Sequence, residues 1–135
     1  MRHCTLLLAA ALLSLLAGCE QPDALARIYA QGELVVVSRN SPTTYFLDQN
    51  GPTGFEYALA ERLAQDLGVD LRMETAFTLP DIFTKLQRHQ ADIAAAGLTL
   101  TEERKASYPH TTPYLNSTPL VVSVAEHDQP RSIPD

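Results

Sequence analysis

The sequence has no cluster of lysine or arginine: 10 basic residues are scattered among 135, against 16 acidic ones, for a formal net charge of −6. Nucleic acid must have its phosphates neutralised by basic side chains, so DNA and RNA are excluded as partners. The four histidines, His3, His89, His110 and His127, lack metal-ligand spacing, and no glycine-rich phosphate loop is present. No metal and no cofactor are therefore expected. Internal repeats are also missing, which excludes a solenoid. With 45% hydrophobic and 19% charged residues, the chain is too apolar to be a disordered acidic polymer. One globular domain is the expectation.

Charge is missing locally as well. Cys4 to Gly18 carries none, whereas every acidic residue lies at Glu20 or later. An uncharged run of about 15 residues falls short of the roughly 20 that span a bilayer as a helix. Arg2 supplies a positive start, Leu6 to Leu16 an apolar centre and Leu16-Ala-Gly-Cys19 a small-residue cleavage site, so residues 1–18 read as a signal peptide. The segment resembles the lipobox of bacterial lipoproteins. That resemblance implies lipidation of Cys19 by several acyl chains, a firm anchor, with residues 19–32 as lipidated terminus and linker. Cys4 would leave with the signal, so the mature chain would have neither a free thiol nor a disulfide. Glu20, standing where an aspartate typically retains such proteins at the inner membrane, favours the periplasmic face of the outer membrane.

From Leu34 onward, strand and helix patterns alternate, which argues for an α/β fold with a mostly parallel sheet. Leu34-Val-Val-Val37 reads as a strand buried on both faces. Ser38 to Thr53 reads as a long loop, with Pro42, Pro52 and an Asn50-Gly51 turn signal. Phe55, Leu59, Leu63 and Leu67 form an apolar stripe closing at Gly68, the first crossover helix. Val69 to Thr75 alternates as a half-buried strand, and Thr78, Pro80 and Asp81 open a second helix through Ile82, Phe83 and Leu86. Asp92 to Ala96 is a short third strand, Thr101-Glu-Glu-Arg104 a capped turn, and Leu120 to Val124 a fourth strand.

Open parallel sheets bind ligands beyond the carboxyl ends of their strands, which singles out residues 38–54 and 97–104. At Gly97 the chain can offer backbone groups with no side chain in the way, Thr99 adds a hydroxyl and Arg104 a planar fork of donors suited to a carboxylate. On spacing alone, the stronger reading is that Thr101 is only an N-cap and Arg104 only a solvated helix residue. Tyr45 is a stacking wall or a tyrosine packed on the sheet edge, and Asn40 and Ser41 are hydrogen-bond donors or turn residues.

Gln90-Ala-Asp92, a short apolar strand, Gly97-Leu-Thr99-Leu-Thr101-Glu-Glu-Arg104 and later Thr112-Pro-Tyr114 together resemble the family 3 extracellular solute-binding domain. The resemblance implies that Arg104 grips a ligand α-carboxylate, that Thr99 hydrogen-bonds it and that Gly97 offers backbone groups to the α-amino end. Many amino-acid binders carry serine at the Gly97 position. Arg39-Asn-Ser-Pro-Thr-Thr-Tyr45 and Gly51-Pro-Thr-Gly-Phe-Glu-Tyr57 resemble the N-terminal domain of the membrane-bound lytic murein transglycosylase F family, whose C-terminal domain cleaves peptidoglycan with a glutamate. This implies a three-layer, type II periplasmic-binding-protein-like lobe at residues 33–135, ending at Asp135 without its second lobe or the enzyme domain. None of the eight glutamates precedes a serine, as the family's catalytic glutamate would, and the adjacent Glu102 and Glu103 would point about 100° apart on a helix. The expected function is a non-catalytic, regulatory solute-binding lobe that takes an amino acid or muropeptide by its carboxylate. A truncated amino-acid-binding component of an uptake system is the alternative.

Overall fold

The computed structural model describes residues 23–118. The signal segment 1–18, Cys19 and the strand expected at Leu120–Val124 lie outside them. The chain divides into two units at Leu98 and Thr99. In the first, the elements are α1 (Ala24–Gln31), β1 (Glu33–Ser38), β2 (Phe46–Asp48), β3 (Gly51–Thr53), α2 (Phe55–Leu67), β4 (Asp70–Thr75), α3 (Leu79–Gln87) and β5 (Ile93–Ala94). The second holds α4 (Glu102–Ser107).

The Leu34–Val37 run forms the middle of the sheet, whose order is β4-β1-β5 with both pairings parallel. Because successive strand residues point to opposite faces, this all-apolar strand feeds two cores. Val35 and Val37 pack with Ile82, Ala76, Ala91 and Ala96, supported by Leu79 and Leu86 of α3. Leu34 and Val36 pack with Ile28 of α1 and with Ala60 and Ala64 of α2. Helices therefore cover both faces, giving the three-layer α/β arrangement with a parallel, open sheet. β4 lies at the edge, and its burial alternates with Leu71 and Met73 turned inward.

The helix termini follow local chemistry. The Thr78 hydroxyl accepts the Asp81 N–H at 3.3 Å, capping α3 with Pro80 in its first turn. Gly68 closes α2 at φ 69°, ψ 35°, the left-handed conformation that costs glycine nothing.

Three local expectations are revised. Most of the apolar stripe of α2 does not face the core: Phe55, Leu59 and Leu63 are 54%, 47% and 38% exposed, and of the four stripe residues Leu67 alone packs against it, whereas Glu56, Ala60 and Ala64 are buried. Alanine lets the helix lie close against β1, and the larger side chains are turned to its flank. The stretch read as a loop from Ser38 to Thr53 contains an antiparallel hairpin, β2–β3, with Asp48 opposite Gly51 around the Gln49-Asn50 turn. Inside the stretch read as linker, α1 forms and buries Ile28.

Candidate functional site

In the first unit, the carboxyl ends of β1 and β5 lie side by side, since Val37 pairs with Ala94. The loop leaving β1 is held by its own hydrogen bonds. The Ser41 N–H donates to the Tyr45 carbonyl at 3.1 Å, and Ser41 Oγ lies 3.0 Å from Thr43 Oγ1. Asn40 forms a bridge with Tyr45, which closes the loop. Asn40, Ser41 and Tyr45 are thus brought together, and the Tyr45 ring lies 5.9 Å from that of Tyr57, tilted by 35°. Tyr57 also donates its hydroxyl to Glu61 at 2.9 Å, and its pKa is raised, first by burial and then by Glu61. Thr44, buried, donates its hydroxyl to the Arg39 carbonyl at 2.5 Å and accepts the Tyr57 N–H on its own carbonyl at 3.0 Å. This ties the loop to the start of α2.

Gly97 follows β5 with φ 62°. An added Cβ would stand 3.4 Å from the Thr44 methyl and 3.7 Å from Arg39 Nη2, so the position suits glycine in both conformation and space. Its N–H donates to both carboxylate oxygens of Glu56, at 2.9 and 3.0 Å. Glu56 is only 5% exposed and occupies the first turn of α2, where the helix dipole favours a negative charge. Sequence reasoning missed this residue; its one local signal was an acidic side chain at a helix start.

In the second unit, Thr101 caps α4, its hydroxyl accepting the Arg104 N–H at 3.3 Å. Arg104 turns back along the chain, and its Nη1 donates to the Thr99 carbonyl at 2.6 Å. Arg104 and Thr99 are thereby joined, guanidinium to backbone. The cap foreseen at Thr101 is present.

His89 and His110 are exposed, and among the described residues no group of three or more His, Cys, Asp or Glu is arranged to hold a metal ion. No described helix is long and apolar enough to cross a membrane. A groove at the β4 edge is lined by Arg72, Glu74, Lys85 and Gln90, none of them a candidate site residue. Its charges pair with one another: Arg72 with Glu33 at 2.8 Å and with Glu74, and Lys85 with Glu74 at 3.6 Å.

Residues 34–131 match the family described as bacterial extracellular solute-binding proteins, family 3. The chain is 48% identical over 126 residues to the membrane-bound lytic murein transglycosylase F of Ectopseudomonas mendocina (strain ymp), covering 90% of this chain and 26% of that protein. It is 44% identical over 131 residues to the protein of that name from Pseudomonas fluorescens (strain Pf-5), covering 96% of this chain and 27% of the relative. The chain thus spans about a quarter of the length of these curated relatives. Among solved structures it is similar to a point mutant of the arginine-bound form of domain 1 from TmArgBP, with TM-score 0.62 and 32% identity over 67% of this chain and 71% of that one. An Ancestral Cationic Amino Acid Solute Binding Protein matches with TM-score 0.56 and 37% identity over 62% of this chain and 37% of that one.

Proposed function

The chain belongs to family 3 of the bacterial extracellular solute-binding proteins, and on that premise we propose that it is the first, ligand-holding lobe of such a domain and takes a small molecule by its carboxylate. The observation that carries this reading is the likeness to domain 1 of TmArgBP, a separate domain in an arginine-bound form. Arg104 is assigned the carboxylate, which its planar fork matches with two parallel hydrogen bonds. Thr99 adds its hydroxyl, and Gly97 presents its backbone to the amino end. Asn40 and Ser41 contribute polar contacts, and Tyr45, with the tilted ring of Tyr57 beside it, an aromatic wall.

The name shared by the curated relatives sets the wider context. We assign the lobe to peptidoglycan turnover, as the N-terminal, non-catalytic and regulatory part of a lytic transglycosylase F-like lipoprotein. It is anchored through Cys19 at the periplasmic face of the outer membrane, and its ligand is an amino acid or the stem peptide of a muropeptide. A second reading, the binding component of an amino-acid uptake system, is favoured by the likeness to the cationic amino acid binder.

The test is an NMR titration of the isotope-labelled chain with L-arginine and with a muropeptide stem peptide. Shifts confined to Asn40–Tyr45 and Gly97–Arg104, and abolished by Arg104→Ala in a folded variant, support the reading. Shifts that map elsewhere or survive in that variant overturn it. A preference for the stem peptide selects the peptidoglycan context, and a preference for the free amino acid selects uptake.

A further inference from the structure

The Ala96 carbonyl and the Gly97 N–H belong to one peptide group, and a charged side chain holds each end of it. Arg39 Nε donates to the Ala96 oxygen at 3.1 Å. The Glu56 carboxylate accepts the Gly97 N–H with both oxygens, at 2.9 and 3.0 Å. In a planar trans peptide these two groups point in opposite directions, so the guanidinium and the carboxylate grip the plane from opposite sides. Both holders come from the far side of the sequence. Arg39 stands just after β1, and Glu56 is in the first turn of α2. Thr44 is hydrogen-bonded to the Arg39 carbonyl, and its methyl would stand 3.4 Å from a Cβ added at Gly97.

From this geometry we infer that Arg39 and Glu56 are positioning residues for the ligand site: together they fix the plane of the Ala96–Gly97 peptide and so anchor the nitrogen and α-carbon from which the Gly97 backbone continues into the site. The inference rests on the solute-binding reading above and assigns two residues that reading does not use. A glycine at φ 62° has no side chain to lock its backbone. Without a clamp, the peptide plane preceding it would sample several orientations, and a ligand would have to order it on binding. Burying a carboxylate costs free energy unless it is hydrogen-bonded, and here both of its oxygens are directed to one N–H at a strand end. That is the arrangement expected where a single backbone orientation matters.

The test uses the full chain with L-arginine as probe and Glu56→Gln, Arg39→Lys and Asp66→Asn as variants. Arg39→Lys keeps the charge and loses the planar donor, and it carries the test should Glu56→Gln fail to fold. Asp66, exposed at the far end of α2 and paired with Arg62, is the control. In the absence of ligand, the Gly97 amide proton should lie downfield in the parent and move upfield in Glu56→Gln. Arginine affinity should fall about tenfold in Glu56→Gln and in Arg39→Lys, the scale of one charge-assisted hydrogen bond, with the Arg39→Lys denaturation midpoint unchanged. A Gly97 signal indifferent to Glu56→Gln overturns the clamp itself. Affinity that is unchanged while that signal moves overturns the positioning role. A parent chain that binds neither arginine nor stem peptide overturns the solute-binding reading and the positioning role with it, while the ligand-free Gly97 signal still reports whether the clamp exists.

Discussion

Arg27 and Asp92, far apart in sequence, meet as an ion pair of 3.1 Å in which Asp92 is almost wholly buried and Arg27 largely so. The second Asp92 oxygen accepts the Val35 N–H at 3.0 Å. One carboxylate thereby fastens α1 to the sheet and meets a backbone donor of the central strand. Asp92→Ala would leave a largely buried guanidinium and a buried N–H unpaired, and the expected loss is about 2–4 kcal/mol. Asp92→Asn, which still offers an oxygen to Val35, should lose about half as much. Urea denaturation followed by circular dichroism ranks the two; equal losses would mean that the backbone contact contributes nothing.

The two faces of α2 should respond in opposite ways to substitution. Leu59→Gln, on the exposed stripe, should change stability by no more than about 1 kcal/mol. Ala64→Leu, pressed against β1, should cost about 1–3 kcal/mol through overpacking. The reverse ranking in thermal melts would restore the stripe as the core-facing side.

Gly54, with φ 131°, precedes α2, and a Cβ there would stand 2.3 Å from the Thr44 carbonyl oxygen. Gly54→Ala must displace the segment that links Thr44 to Tyr57, at an expected cost of at least about 3 kcal/mol. Gly32, at φ 70° with nothing within 4 Å of the added carbon, meets only the conformational penalty of about 1 kcal/mol on substitution by alanine. Equal denaturation midpoints for the two variants would contradict this contrast.

Burial, reinforced by the Glu61 carboxylate, raises the Tyr57 pKa above its ordinary 10.0. The folded state therefore favours the neutral phenol. That contribution to stability is complete below pH 10.0, the unfolded value, and is lost as pH climbs through the higher folded value. Ultraviolet titration of Tyr57, isolated by difference against Tyr57→Phe, should show a midpoint above 10.0 that falls only part of the way back in Glu61→Gln, because burial remains. A midpoint at or below the ordinary value would remove the basis for this pH dependence.

The anchor is tested at Cys19. Cys19→Ala should accumulate as an unprocessed precursor that takes up no labelled fatty acid, since thioether formation needs the thiol. Acylation of the variant would show that lipid is attached elsewhere.

What could be read from the sequence was what local chemistry decides. Four consecutive apolar residues at Leu34–Val37 announced a strand with two covered faces, Thr78 with Asp81 announced a capped helix, and Gly68 announced a helix end. The hairpin was hidden because Phe46–Asp48 and Gly51–Thr53 are three residues each, with Pro52 among them and no alternation to reveal a buried face. The α2 stripe misled because periodicity finds the largest side chains, whereas close approach of helix to sheet selects the smallest. Arg104 and Thr99 stood out by residue type, and the resemblance to the family motif rather than their spacing gave them a ligand role. Glu56 did not, because its meaning lies in Gly97, a partner that only the folded chain brings near.

The placement of β1 between β4 and β5 also governs the order in which the chain can assemble. β1 emerges early in synthesis, yet Glu33 waits for Asp70 and Val36 for Ile93 before either edge is satisfied. The β2–β3 hairpin closes over two intervening residues and can form at once, whereas the parallel pairings must first bring distant stretches of chain together. During translation, the most apolar strand of the sheet is therefore exposed longest, with both edges unpaired. In that interval a chaperone or export factor that grasps extended apolar chain would find Leu34–Val37 before the rest of the sheet does.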